Sequence, residues 1–118
     1  MTLFYLLMLS FLFVHELDAV HKHEWRVLPL TSFLPDEIGR RVFVVAHVPL
    51  FFAIFYFGEL NPISGVATGL SIFAIIHVGL HWLFRKHPAY EFNTVLSWGL
   101  ICGAGLFGAL HLATLPMF

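Results

Sequence analysis

Charge is scarce in this chain. Asp, Glu, Lys and Arg make up only 11% of its 118 residues, less than half of the roughly 25% found in soluble domains, so the chain cannot clothe a water-facing surface in the ordinary way. Cysteine is scarcer: Cys102 stands alone, which excludes an intrachain disulfide framework and a cysteine-rich zinc site. Within its apolar surroundings it reads as a small packing residue. The net charge of −1 carries no basic excess, and nucleic acid is therefore not expected as a partner. There is no glycine-rich phosphate loop, no serine or cysteine nucleophile set beside an evident base, and no low-complexity tail. The length leaves room for one domain, residues 1–118, and no separate soluble one.

What the chain has instead is apolar length: 59% hydrophobic residues, 17% aromatic, and a mean hydropathy of +0.87. A hydrocarbon core of about 30 Å is crossed by about 20 helical residues. Four segments qualify, at about 2–20, 38–57, 63–84 and 92–115. The expected fold is all-α, an integral membrane four-helix bundle. The first run has no basic residue ahead of it and no small-residue cleavage site, so it reads as a retained helix rather than a secretory signal.

The connections predict up-down-up-down topology. Pro29, Pro35 and the pair Asp36-Glu37 break the longest link and start a helix. Gly58-Glu59-Leu60-Asn61-Pro62 reads as a tight turn, and Arg85-Lys86-His87-Pro88 reverses the chain after the third span. Lys22, Arg26, Arg40, Arg41, Arg85 and Lys86 are all the basic residues, and every one falls in or beside the first and third connections. Because basic residues concentrate on the cytoplasmic side, both termini are expected outside. Pro49 is expected to kink the second helix just past His47. The spacings Gly65/Gly69, Gly99/Gly103 and Ala104/Gly108 let helix backbones approach, closing the bundle or forming a homo-oligomer face.

Against this background the ionisable residues inside the spans stand out. They are costly in hydrocarbon and face a bundle interior, where they pair, bind metal or line a pathway. His15 lies seven positions before Lys22, His47 six after Arg41, and His81 and His77 four and eight before Arg85. At the helical rise this puts them within about 6 to 12 Å of the basic boundary, in one layer. His15 and Asp18 are i,i+3 and His77 and His81 are i,i+4, so two helices each offer a two-residue arm. Imidazole and carboxylate suit zinc, iron, manganese or copper. The expected metal ligands are His15, Asp18, His47, His77 and His81, with zinc or iron as the leading ions, and Glu16 or Glu24 would nearly complete a second ion's set. The competing reading is a set of hydrogen-bonded cross-links between helices. His21, His23, Glu24 and Trp25 read as solvated interfacial residues, with Trp25 and Trp82 as anchors and with His23 and Glu24 able to reach back as outer ligands in the alternative reading. His111 falls near the opposite face and is not expected to join.

The string Phe13-Val14-His15-Glu16-Leu17-Asp18-Ala19, followed by His23-Glu24-Trp25, resembles the opening motif of the HXXEE-type membrane proteins, small bacterial multi-span proteins. His15 matches the histidine of that motif and Asp18 the first acid, while Ala19 stands in place of the second. Phe73, His77, His81 and Arg85, spaced by four, look similar to that group's third-helix region. The resemblance implies a bacterial inner-membrane protein built around histidines and carboxylates, and it gives no substrate. His77 and His81 also look like one histidine box of membrane desaturases, whose His-x-x-His-His boxes are absent. A haem held between His47 and His77 or His81, as in membrane cytochromes b, is a less favoured cofactor.

The expectation is an integral membrane metal-binding protein, a metalloenzyme for a lipid-soluble substrate if the ion keeps an open position. The alternatives are metal, proton or haem binding or transport, and a structural membrane subunit.

Overall fold

The structure is a computed structural model that describes residues 3–59 and 65–115. Among the described residues there are four α-helices, one short 3-10 turn and no strands: α1 Leu3–His21, the turn Glu24–Arg26, α2 Asp36–Glu59, α3 Val66–Phe84 and α4 Val95–Ala113. All four helices are long and apolar enough to cross a membrane. The fold class is all-α, as its composition and period required.

The helix ends follow local chemistry. α2 starts at Asp36, directly after Pro35, and runs unbroken through Pro49 to Glu59. α4 starts at Val95 because the Thr94 side chain accepts a hydrogen bond from the Ser97 amide, an N-cap that satisfies one of the first turn's free donors. The fourth span therefore begins later than its apolar run, and Phe92 belongs to the connection, where it is fully buried. Gly65, at φ 77°, precedes α3. The expected tight turn after Gly58, and the expected start of the third span at Ile63, fall on residues 60–64, outside the described residues.

α4 is the spine of the bundle, packed along α1 on one side and α3 on the other, while α2 touches the rest lightly. Close approach depends on three glycines of α4, among them Gly105, where a Cβ would lie 2.6 Å from Val78. A Cβ on Gly103 would lie 2.5 Å from the Phe11 ring of α1, and one on Gly108 would lie 2.8 Å from the Ser71 carbonyl oxygen of α3. Gly65, Gly69 and Gly99 face open space, so the third-helix pattern closes no contact within the bundle. Two apolar clusters fill the interior. Tyr5, Met8, Leu9 and Leu12 of α1 meet Ala74 and Ala104 toward one end; Ala19, Trp25, Val27, Phe43, Tyr90, Phe92 and Ile101 gather at the other.

That second end is where the first and third connections meet. The His23 ring donates to Glu91 at 2.7 Å, and Arg26 makes two hydrogen bonds to Asp36, which also accepts from the Trp25 indole. The Thr31 hydroxyl donates to the Trp25 carbonyl. The chain after α1 is thereby folded back under the bundle instead of trailing along an interface.

Candidate metal centre

Two turns of α3 set the geometry. His77 and His81 are both buried and their Nε2 atoms stand 3.1 Å apart. His15, fully buried on α1, faces them edge-on, its ring centroid 4.7 Å from that of His77 and 5.1 Å from that of His81. Glu24 arrives from the 3-10 turn with its side chain 13% exposed and an oxygen 3.6 Å from His81 Nε2. One ligand atom from each of His15, Glu24, His77 and His81 lies within 4.8 Å of all the others. Around a tetrahedral ion with bonds of about 2.0–2.3 Å, ligand atoms stand about 3.3–3.8 Å apart. The His77/His81 and His81/Glu24 pairs are near that spacing already.

The polar atoms point the same way. His81 Nδ1 is 3.0 Å from the Tyr90 hydroxyl, which fixes the ring and leaves Nε2 directed inward, the arrangement by which outer-shell groups orient metal-binding imidazoles. Both nitrogens of His15 and Nδ1 of His77 are buried with no hydrogen-bond partner among the described residues. A buried polar atom without a partner costs about 1–3 kcal/mol. His15 thus brings a free ring nitrogen to the group, whichever of its two atoms faces His77 and His81.

Burial pushes the Glu24 carboxyl up to about 8, with the nearby Glu16 and Asp18 charges adding to the effect and His47 opposing it. Without an ion the group is therefore largely protonated at neutral pH, and a cation beside it would reverse the balance. Burial also raises the Tyr90 phenol, which stays protonated as a hydrogen-bonding partner of His81.

The structure brings His15, His77 and His81 together, and it places Asp18 and His47 elsewhere. Asp18 accepts a 2.6 Å hydrogen bond from the Ser97 hydroxyl of α4, at the α4 N-terminus where the Thr94 hydroxyl also meets Ser97. His47 donates through Nδ1 to the Phe43 carbonyl at 2.7 Å and through Nε2 to Glu16 at 2.5 Å. It cross-links α2 to α1 without reaching the group. Glu16, on a different face of α1 from His15, is the carboxylate that holds it. Glu24 corrects the expectation of a solvated interfacial residue: it is the carboxylate of the group. His111 is buried beside Tyr5, 5.4 Å between ring centroids, away from the centre.

Two residues of this centre carried little sequence signal. Glu24 lies beyond the apolar run, in a segment that its sequence places at the interface. Tyr90 sits nine residues past His81, in a connection.

No curated protein and no solved structure matches this chain. A family of unknown function does match, over residues 1–117, and on that coverage the chain belongs to the DUF6713 family.

Proposed function

We propose that this protein is an integral membrane metal-binding protein whose single ion is held by His15, Glu24, His77 and His81 at the end of the bundle that carries the basic residues. The observation that supports it is the convergence of four ligand atoms from α1, α3 and the connecting turn, with the His15 nitrogens left without a hydrogen-bond partner among the described residues. Three imidazoles and a carboxylate suit zinc or iron. A porphyrin is less suited, since His77 and His81 Nε2 are 3.1 Å apart and leave no gap for a ring between them. Leu12, Leu9 and Met8 fill the bundle beyond His15, which favours binding over conduction along its length.

The concentration of basic residues in and beside the first and third connections supports a cytoplasmic position for the centre, with both termini outside. The likeness to HXXEE-type proteins in the first and third helices supports a bacterial inner membrane. A cavity beside the ligands supports a catalytic role on a lipid-soluble molecule, as an ion with room for a fifth ligand can activate what it binds.

Elemental analysis of detergent-purified protein tests the reading. One zinc or iron per chain is expected, with His77→Ala and His81→Ala both reducing occupancy. Wild-type protein that purifies without metal and takes up none on addition would overturn it.

A further inference from the structure

A cavity of about 80 Å³ opens directly on the candidate ligands. Its inner end is polar, formed by Glu24, His77, His81 and the Tyr90 ring; its walls are apolar. Val27 and Phe92 close the back. Of its apolar lining, Pro29 of the first connection and Leu80 and Phe84 of α3 are exposed, the last two at 41% and 37%, so the mouth lies between the first connection, where Leu28 also lines it, and α3. Leu80 and Phe84 continue the exposed apolar surface of Ile72, Phe73 and Ile76 along the same helix. The mouth therefore meets the exposed apolar surface of α3, which on the membrane reading above faces lipid.

Resting on the metal reading above, we propose that this cavity binds the head of a single-chain lipid ending in a small oxygen group, of hydroxyl or carboxyl size, with the chain lying over Leu80 and Phe84. Size decides the head. A cavity of about 150 Å³ holds a benzene ring, so this one holds roughly three heavy atoms, enough for a carboxyl or hydroxymethyl group and too few for a glycerophosphate. Chemistry decides the donor. Three neutral imidazoles and one carboxylate around a divalent ion leave a net positive charge, and a fifth ligand on such an ion is an oxygen. The chain supplies no preference of its own, because a lipid tail is as apolar as the leucines it meets. Binding then depends on the oxygen group, and a plain hydrocarbon is excluded.

Tritiated dodecanol, dodecanoate, dodecane and dodecanoyl lysophosphatidylcholine, each titrated into the protein in phosphatidylcholine nanodiscs with empty discs as background, test this. Saturable binding of dodecanol or dodecanoate at one per chain is expected, the stronger of the two telling alcohol from acid. Leu80→Trp and Leu28→Trp, which block the mouth from opposite walls, are each expected to weaken it about tenfold or more while the metal content stays at the wild-type level. Absence of saturable binding, equal binding of dodecane or lysophosphatidylcholine, or wild-type binding in both tryptophan variants overturns the proposal. Metal measured on the same samples separates the two readings. Metal without chain binding removes this inference alone, and chain binding without metal removes the metal reading, leaving His77 and His81 as hydrogen-bonding anchors.

Discussion

Tyr90→Phe isolates the outer shell of the centre. The Tyr90 hydroxyl lies 3.0 Å from His81 Nδ1 and is, among the described residues, the ring's only hydrogen-bond partner outside the group itself. The substitution deletes that oxygen and keeps the aromatic ring, whose packing against Phe92 at 5.3 Å and against His81 at 5.7 Å does not depend on it. Two effects follow. His81 becomes free to rotate about its last side-chain bond, and its Nδ1–H stays buried without an acceptor once Nε2 is committed to an ion. Loss of an outer-shell partner weakens metal affinity about 10- to 100-fold, or about 1.4–2.7 kcal/mol, which agrees with the roughly 1–3 kcal/mol for an orphaned buried polar group. Competition against a zinc chelator of known affinity in detergent reads this directly. The stoichiometry should remain at the wild-type value, because His15, Glu24, His77 and His81 are all present. A Tyr90→Phe protein with wild-type affinity would falsify the assignment of His81 as a ligand through Nε2.

Three further outcomes follow from the geometry. Glu24→Gln should flatten the pH dependence of metal-free thermal stability: the native carboxyl titrates near 8 against 4.5 in the unfolded chain, so the unfolded state binds fewer protons between those values and wild-type stability falls as pH rises through that window, a trend that circular dichroism melts would show to be wrong if the wild-type curve were level. His47→Ala should lower the melting temperature by breaking the Glu16 cross-link between α1 and α2 yet leave metal content unchanged by elemental analysis; a parallel loss of metal would return His47 to the centre. Gly108→Ala should cost about 1–3 kcal/mol, since the new methyl meets the Ser71 backbone oxygen at 2.8 Å and backbone cannot step aside cheaply, whereas Gly69→Ala, in open space, should melt like wild type or slightly above it.

How much of this was legible depended on whether position along a helix was enough. Depth placed His15, His77 and His81 in one layer, and i,i+4 spacing aligned the α3 pair, because both quantities are fixed by helical rise and twist alone. Asp18 and His47 share that depth yet bond elsewhere, because depth says nothing about direction around the bundle. Which way a residue faces is set by neighbours, here Ser97 for Asp18 and Glu16 for His47, and a sequence does not order its helices around an axis. The glycine patterns divide likewise. Gly103 and Gly108 sit at close helix contacts while Gly65, Gly69 and Gly99 do not, although the spacing is identical. The start of α4 was hidden by Phe92, apolar enough to extend the span and yet buried in a connection.

The three carboxylates near the centre explain why the fourth ligand comes from a turn. Asp18 and Glu16, both on α1 beside His15, are each taken by a different helix, α4 through Ser97 and α2 through His47. Neither is left to face His77 and His81. The vacant direction lies below the helix end, and the chain fills it by reversing immediately after α1: His23 adopts a left-handed backbone at φ 56°, a conformation uncommon for a residue with a side chain, and Glu24 turns inward. Such a backbone persists only where its surroundings over-determine it, and here they do. Glu91 holds the His23 ring, and Asp36 holds both Trp25 and Arg26. The two acids therefore serve as positioning residues for Glu24, although neither belongs to the group. Asp36→Asn together with Glu91→Gln should release the turn and weaken metal affinity about 10- to 100-fold, in the range of an outer-shell loss. Glu24→Gln added to that pair should weaken it little further, since a carboxylate already displaced has nothing more to give. Full additivity of the three substitutions in chelator competition would mean that Glu24 finds its place without the clamp, and would sink this account of how the turn is set.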